Sequence, residues 1–433
     1  MTALADAKAR PGWLYLTLDK LPVGQRKEVR QAVAFWANSL SREPVLVEPR
    51  LVGADMVAVN PLDYGWDRRT WDKFATVDPY YSVRVTALWP GGVYSDGRSY
   101  AKGSFTLTSS IPAPWLPQAE MAELIHLTGT KAPILRADWW LAQVAVQADR
   151  KVGYYDVLGL GKRRADFEAL VGMDRAKATR VKKEIAAIVD TSIVALHNRQ
   201  IYRYATLNGA YWETRDSLKN TEANNAIRLL NGDYKHDAEE VYGSLPNGLF
   251  AFFLSDAAGV RADTAPDSIA SDGRSVSTDR RVHVGLSCVR CHVEGIRNID
   301  CWARKAYAAP DRLEVADPVR FLRLRQLYLS DLDRVVRRDQ ADYAAALLAT
   351  NGLLPADNAK VISGVWQRYV EQPLLLEDVA REMGVKPADL QAALKAKGQR
   401  EVLDPFLLGV AKGLPMRREH VEESWAVLMG VMQ

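Results

Sequence analysis

One stretch constrains the structure of this 433-residue chain more than any other: Cys288-Val289-Arg290-Cys291-His292. Residues three and four apart on a helix lie on one face, so Cys288, Cys291 and His292 would point to the same side of a helix. Ser287 immediately precedes the stretch, and serine is a favoured N-cap residue. The sequence therefore predicts a short helix, capped by Ser287, that presents two thiols and one imidazole together.

The spacing Cys-x-x-Cys-His is the attachment pattern of a c-type haem. In such a site each thiol adds to a vinyl group of the haem and forms a thioether, and the histidine binds the iron from the proximal side. We therefore expect one covalently attached haem c. Its binding residues would be Cys288, Cys291 and His292, with His292 as an iron ligand.

A zinc site is the main alternative, because the chain has a third cysteine, Cys301. Together with the motif, Cys301 would complete a Cys3His ligand set. The adjacent positions of Cys291 and His292 argue against zinc, since structural zinc sites usually take their ligands from two separated pairs. A chance occurrence of the pattern in a long chain is the second alternative.

A low-spin haem iron also needs a second axial ligand, commonly Met or His. We predict His236 for this role, because it lies in a polar segment just before a predicted hairpin; a surface histidine beside Asp237 is the alternative interpretation. An open sixth position would instead indicate a haem enzyme of peroxidase type. The other candidate ligands are His126, His197, His283, His420, Met383, Met416 and Met429.

Composition excludes several classes of protein. The hydrophobic content of 48% and the charged content of 25% are ordinary for a soluble globular protein, and the length suits about two or three domains. A net charge of only +4 gives no strong case for a nucleic-acid partner or an anionic membrane. Three cysteines exclude a disulfide framework, and no apolar run reaches the length of a membrane span.

The haem motif predicts that the protein is exported, but the first residues of the chain do not have the pattern of a signal peptide. The stretch Met1–Asp6 has no apolar signal core. A c-type haem is normally attached outside the cytoplasm. We therefore expect a periplasmic or otherwise exported protein whose signal peptide is not present in this chain; a cytoplasmic chain without haem is the alternative.

The secondary-structure pattern predicts an α+β protein. Strands are expected at 13–18, 44–49 and 56–59, with helices over 24–39 and 175–197. Pro246-Asn247-Gly248 between two apolar runs predicts a β-hairpin, and helices dominate from 318 onward. The predicted organisation is a mixed N-terminal domain (1–115), a helical segment (116–200), and a domain with the β-hairpin and a mostly helical, haem-bearing part (201–433).

Several further stretches are similar to one group of proteins. The resemblance is to single-haem bacterial proteins of unassigned function, described as cytochrome c domain-containing proteins, and it spans nearly the whole chain. It implies an exported haem protein and no particular substrate. Ala238-Glu239 departs from the group, which has a glycine pair before the residue corresponding to Glu240. The stretches that carry the resemblance are 15–18, 37–40, 63–66, 136–139, 209–212, 236–249 and 285–292.

These observations predict one-electron transfer between the haem and a redox partner protein, with no nucleic acid and no membrane span involved. Two alternatives stay open. A haem enzyme of peroxidase type would keep the sixth iron site free. A zinc-binding regulatory module would use the cysteine cluster without any haem.

Overall fold

The computed structural model of this protein has both helices and sheets, so the predicted α+β class is confirmed. The described residues are 3–80, 83–88, 104–111, 118–147, 152–181, 184–190, 197–219, 221, 223–229, 234–265, 269–272, 280–309, 317–398 and 405–432. Within them the strands are β1 (Leu14–Thr17), β2 (Arg50–Val52), β3 (Met56–Val59), β4 (Val83–Leu88), β5 (Ser104–Ile111), β6 (Ile134–Arg136), β7 (Glu184–Val189), β8 (Arg199–Ala205), β9 (Ala210–Asp216), β10 (Ala238–Ser244), β11 (Phe250–Asp256) and β12 (Arg261–Ala262).

The helices lie at both ends of the chain and between the strands. The α-helices of the described residues are α1 (Ala3–Ala9), α2 (Arg26–Ser39), α3 (Arg68–Val77), α4 (Gln118–Thr128), α5 (Ala137–Val144), α6 (Tyr154–Leu158), α7 (Arg164–Leu170), α8 (Arg175–Arg180), α9 (Leu286–His292), α10 (Trp302–Ala308), α11 (Pro318–Tyr328), α12 (Leu332–Asn351), α13 (Pro355–Trp366), α14 (Leu376–Met383), α15 (Pro387–Gly398), α16 (Pro405–Ala411), α17 (Arg418–Glu423) and α18 (Trp425–Val431).

The N-terminal sheet has the strand order β2-β3-β1-β6. Strand β1 is antiparallel to β3 and parallel to β6, and all four of its side chains are buried. The strand predicted over 44–49 is not formed; the chain begins to pair only at Arg50. Pro44 and Pro49 bound that stretch, and proline has no N–H to give to a sheet.

The central sheet is antiparallel, with the order β12-β11-β10-β9-β8-β7. The predicted hairpin is confirmed as β10 and β11, and Gly248 in its turn has φ +87°. Successive side chains of a strand point to opposite faces. Glu240 and Tyr242 of β10 therefore share one face with their neighbours Thr214 and Trp212 of β9.

The helix predicted over 175–197 is wrong. The chain forms α8 over Arg175–Arg180 and then strand β7 over Glu184–Val189; residues 191–196 lie outside the described part. Four consecutive residues of β7, from Ala186 to Val189, are buried. Such a continuous apolar run has no alternation, so periodicity alone does not separate a buried strand from a buried helix.

Strand pairing crosses both predicted domain boundaries. Strand β6 from 116–200 completes the N-terminal sheet, and strand β7 from the same range completes the central sheet. The side-chain amide of Asn247, in the hairpin turn, donates to the backbone oxygen of Asn38 at the end of α2 (2.9 Å). The N-terminal and central sheets therefore each combine strands from more than one of the ranges 1–115, 116–200 and 201–433, and one hydrophobic core extends from Leu14 to Leu428.

A buried charge cluster joins the C-terminal helices to this core. Arg136 at the end of β6 bonds to Asp138 (2.7 Å) and to Glu382 of α14 (2.8 Å). Arg418 of α17 bonds to the same Glu382 oxygen (2.6 Å) and to the Tyr80 hydroxyl (3.1 Å). Burial by itself would raise the pKa of Glu382, but the two guanidinium groups lower it to about 2.

The prediction of helices from 318 onward is confirmed by α11 to α18. In the part of the chain that the structure describes, no helix combines the length and apolar character needed to cross a bilayer.

Candidate functional site

The predicted helix over the cysteine motif is confirmed as α9, but its N-cap is Gly285 and not Ser287. The Ser287 hydroxyl instead accepts the backbone N–H of His283 (3.1 Å). The N–H of Leu286 donates to the carbonyl of Ala145 at the end of α5 (2.6 Å). Gly285 has φ +86°, and a Cβ there would lie 2.5 Å from the Ala145 oxygen, so only glycine allows this close docking.

His292 is held in a defined orientation. Its Nδ1 lies 3.3 Å from the carbonyl oxygen of Gly295, and a carbonyl only accepts, so Nδ1 carries the proton. The ring packs against Tyr242 and Phe252, with centroids 4.7 and 5.8 Å away. Burial lowers the pKa of His292. The imidazole is therefore neutral with its lone pair on Nε2, which is the form that binds metals.

The two motif cysteines differ in exposure. Cys291 is half-buried and lines a large cavity, whereas Cys288 is 1% exposed and does not line it. Burial raises the pKa of the Cys288 thiol, and the charge of Glu240 raises it further. Both cysteines are free thiols.

Cys301 is not part of the same cluster. It is the N-cap of α10, and its Sγ accepts the backbone N–H of Arg304 (3.4 Å). Among the residues that the structure describes, which include all three cysteines and His292, no group of three or more His, Cys, Asp or Glu side chains could hold a metal ion. The zinc alternative therefore has no Cys3His ligand set in this structure.

The cavity beside α9 has a volume of about 1370 Å³, whereas pockets for small molecules commonly have about 300–1,000 Å³. One side is the face of the central sheet that carries Glu240 and Tyr242. The other sides are α9 with the following loop (293–300), α12, α13 and the turn Gln367–Glu371. Exposed residues of the loop, including Arg297 and Asn298, line the cavity, so it opens to solvent.

Two ion pairs lie in this cavity. Arg199 is bound by both carboxylate oxygens of Asp216 (2.7 and 2.9 Å) and lies 3.5 Å from Glu240. Arg290, between the two motif cysteines, lies 3.6 Å from Glu371. The Glu371 side chain is 5% exposed, and neither of its oxygens accepts a hydrogen bond from the described residues.

The structure does not bring His236, the predicted second metal ligand, to the cavity that His292 lines. His236 Nε2 lies 2.9 Å from Glu239, which also accepts from Ser255 and pairs with Arg164 of α7. Glu239 is the neighbour of Glu240 on β10, so the two side chains point to opposite faces of the sheet. His236 is therefore bound on the face that lies away from His292.

The other candidate axial ligands are also elsewhere. All six histidines, and every methionine except Met1, lie in the described residues. Of these, only His292 lines the cavity. Met383, for example, is buried in α14.

The sequence analysis did not identify the polar residues that line the cavity beside α9, namely Glu240, Tyr242 and Glu371. Glu240 and Tyr242 lie at alternate positions of a predicted strand, so they share a face, but which face meets α9 depends on tertiary packing. Glu371 is the last residue of a π-helical turn, a feature that often occurs at functional sites. That turn could not be read from the sequence.

No family model matches this chain, and no curated protein or solved structure matches it at a significant level. The resemblance to single-haem bacterial proteins therefore stays a prediction.

Proposed function

We propose that this chain is an exported c-type haem protein that carries one covalently attached haem and exchanges single electrons with a redox partner protein. The observation that carries the proposal is the position of the motif. Helix α9 presents Cys291 and His292 to a cavity of about 1370 Å³, and the His292 imidazole is already held with Nε2 free to bind a metal.

Two residues that line the cavity, Cys291 and His292, fit a haem in their chemistry, and Cys288 lies on the same helix. Cys288 and Cys291 would form the two thioethers and His292 would bind the iron. The Gly295 carbonyl fixes the tautomer of His292, and Tyr242 and Phe252 fix its ring plane. When bound, the haem would supply an iron couple that takes up and releases one electron.

The buried thiol of Cys288 and the exposed loop residues of the cavity would have different roles. Cys288 is buried in the core and does not line the cavity, so a thioether at this position would be shielded from water. The exposed loop residues at the mouth, Arg297 and Asn298, leave a side of the cavity open to a partner protein. Export belongs to the proposal because thioether attachment normally takes place outside the cytoplasm.

A haem enzyme is the second candidate function. It is favoured by one observation: within the described residues, the cavity has a buried Arg290–Glu371 pair and no second histidine or methionine. If the cavity held a haem, the buried Glu371 carboxylate would be a candidate acid–base group there.

The decisive experiment is expression of the full chain behind an export signal, in a host with cytochrome maturation factors. A pyridine haemochrome spectrum should give one haem per chain, and haem should stay on the protein in a denaturing gel. Cys291→Ala and Cys288→Ala should each weaken this retention. Cys301→Ala is the matched control, because Cys301 lies outside the cavity, and it should retain haem.

Three results would refute the proposal. They are a colourless, iron-free preparation from such a host, zinc without haem in metal analysis, and full haem retention in the Cys288→Ala/Cys291→Ala double variant.

A further inference from the structure

We infer that the outward face of α11 is the docking surface for the redox partner, and that the partner presents carboxylates around an apolar centre. The α11 face consists of five exposed residues, Val319, Arg320, Leu322, Arg323 and Arg325. The inference rests on the proposed function for the class of the partner, because an electron-transfer protein is expected only if a haem is attached. The binding step itself does not need the haem.

Helix α11 has an inward and an outward side. Phe321, Leu324 and Tyr328 recur at helical spacing, and they are wholly or partly buried against the core. Val319 and Leu322 lie one turn apart on the other side, where they are 80% and 61% exposed. Single apolar residues scattered over a surface are normal, but two that share one side of a helix form a small exposed patch.

The α11 face is also basic. Residues 318–330 contain three arginines, and no lysine or acidic residue. Arg323 and Arg325 are exposed and form no ion pair within the described residues. Arg320 lies in the first turn of the helix, where the helix dipole disfavours a positive charge. Three arginines beside one apolar patch create a local potential that attracts carboxylates.

This composition fits a protein partner better than a membrane. Arginine is enriched in protein interfaces and lysine is depleted there, and arginine is common among the residues that contribute most to binding. A helix that lies on a membrane buries a continuous apolar side and keeps its basic residues on the opposite side. Here Arg323 lies on the same side as Val319 and Leu322, so the apolar patch is too narrow for that arrangement.

Helix α10 connects α11 to the cavity beside the motif. Trp302, the first residue of α10, lines the cavity and is 39% exposed. Tyr307 of the same helix stacks on Tyr328 of α11, with ring centroids 5.3 Å apart, and its ring lies 5.5 Å from that of Phe321. Five residues of an α-helix span about 8 Å. A partner bound on the α11 face would therefore lie close to the cavity that the proposed haem would occupy.

The test uses the full chain and an acidic plant-type [2Fe–2S] ferredoxin as the probe. Fluorescence anisotropy of labelled ferredoxin gives the Kd, with or without haem on the chain. Stopped-flow absorption gives the second-order rate constant for the transfer of one electron from the reduced ferredoxin to the ferric haem. Binding should be saturable at an ionic strength of about 10 mM and should weaken steeply towards about 1 M, where charges are screened within about 3 Å.

The double variant Arg323→Gln/Arg325→Gln tests the charges. At low ionic strength it should raise the Kd and lower the rate constant by roughly tenfold, and at about 1 M salt the difference should vanish. Lys177→Gln/Arg180→Gln is the matched control, because it removes the same charge from two exposed residues of α8; it should change either value less than about twofold. Leu322→Ser should raise the Kd roughly fivefold at both ionic strengths, through the loss of apolar contact.

The outcomes separate the two proposals. A preparation without covalent haem refutes the proposed function, and with it the redox class of the partner, while the anisotropy measurement still tests the α11 face. Absence of ferredoxin binding at low ionic strength overturns the inference. An equal Kd in Arg323→Gln/Arg325→Gln and the unaltered protein, or an equal loss in the α8 control, overturns the placement. Binding to vesicles of phosphatidylserine and phosphatidylcholine that the arginine variant loses, without ferredoxin binding, overturns the choice of a protein partner.

Discussion

Glu382→Gln is the substitution for which the structure gives the clearest magnitude. Glu382 is shared by Arg136 and Arg418, and all three side chains are at least nine-tenths buried. In the variant Arg136 keeps Asp138, but Arg418 keeps only the Tyr80 hydroxyl and a backbone carbonyl. A buried guanidinium group would thus lose its only carboxylate among the described residues.

The two arginines lower the pKa of Glu382 from its ordinary value of 4.5 to about 2 despite its burial. Each pKa unit corresponds to about 1.4 kcal/mol, so this shift corresponds to roughly 3 kcal/mol of folding free energy. Removing one partner of a buried ion pair typically costs about 3–5 kcal/mol. We therefore expect Glu382→Gln to lose roughly 3 kcal/mol at neutral pH.

The sign of the pH dependence follows from the lowered pKa. A carboxyl group whose pKa is lower in the folded than in the unfolded state stabilises the fold above its unfolded pKa. That contribution is lost as the pH falls from about 4.5 towards 2. The difference in stability between the unaltered protein and Glu382→Gln should therefore be largest at neutral pH and should shrink across this range.

The assay is denaturant unfolding followed by tryptophan fluorescence, at neutral pH and at pH values between about 4.5 and 2. Glu377→Gln is the matched control, because Glu377 is exposed on the same helix; it should cost less than about 0.5 kcal/mol. A loss below about 1 kcal/mol in Glu382→Gln, or a loss that does not change with pH, would refute the reasoning.

Three further predictions concern the candidate site, and the second and third apply to the protein with the proposed haem attached. Gly285→Ala should destabilise the protein by roughly 1–3 kcal/mol more than Gly352→Ala. Both glycines have φ near +80°, but only a Cβ at residue 285 would lie against Ala145. Equal losses of stability in thermal unfolding would contradict this prediction. Cys301→Ala should keep its haem while losing about 1 kcal/mol, since the thiol caps α10; loss of haem, seen on a denaturing gel, would show a role in the site. His236→Gln should leave the haem spectrum unchanged, because the side chain is bound on the other face of the sheet, and an altered spin state would count against that placement.

Local signals in the sequence identified the parts of the fold that depend on a few neighbouring residues. Helix α9 follows from the spacing of Cys288, Cys291 and His292, and the β10–β11 turn follows from Asn247-Gly248, where glycine takes a positive φ. The N-cap prediction at Ser287 was wrong because tertiary docking decides where α9 begins. The bond from Leu286 to the Ala145 carbonyl joins residues 141 positions apart.

The site itself could be predicted only in part, because its lining comes from distant segments. Glu240, Tyr242 and Glu371 meet α9 through the packing of the central sheet and α13. His236 illustrates the same difficulty. A position just before a strand does not say on which face of the sheet the side chain will lie, and one residue of register reverses that face.

The docking of α9 on Ala145 bears on how such a motif can be moved between proteins. Residues 280–309 contain both motif thiols and the imidazole, yet the orientation of the helix comes from α5 and the space beside it comes from strands and helices elsewhere in the chain. Another protein into which residues 280–309 were inserted would gain the two thiols and the imidazole, but it would lack the cavity that they face here. Moving the proposed haem site to another protein would therefore require these surrounding elements as well as residues 288–292.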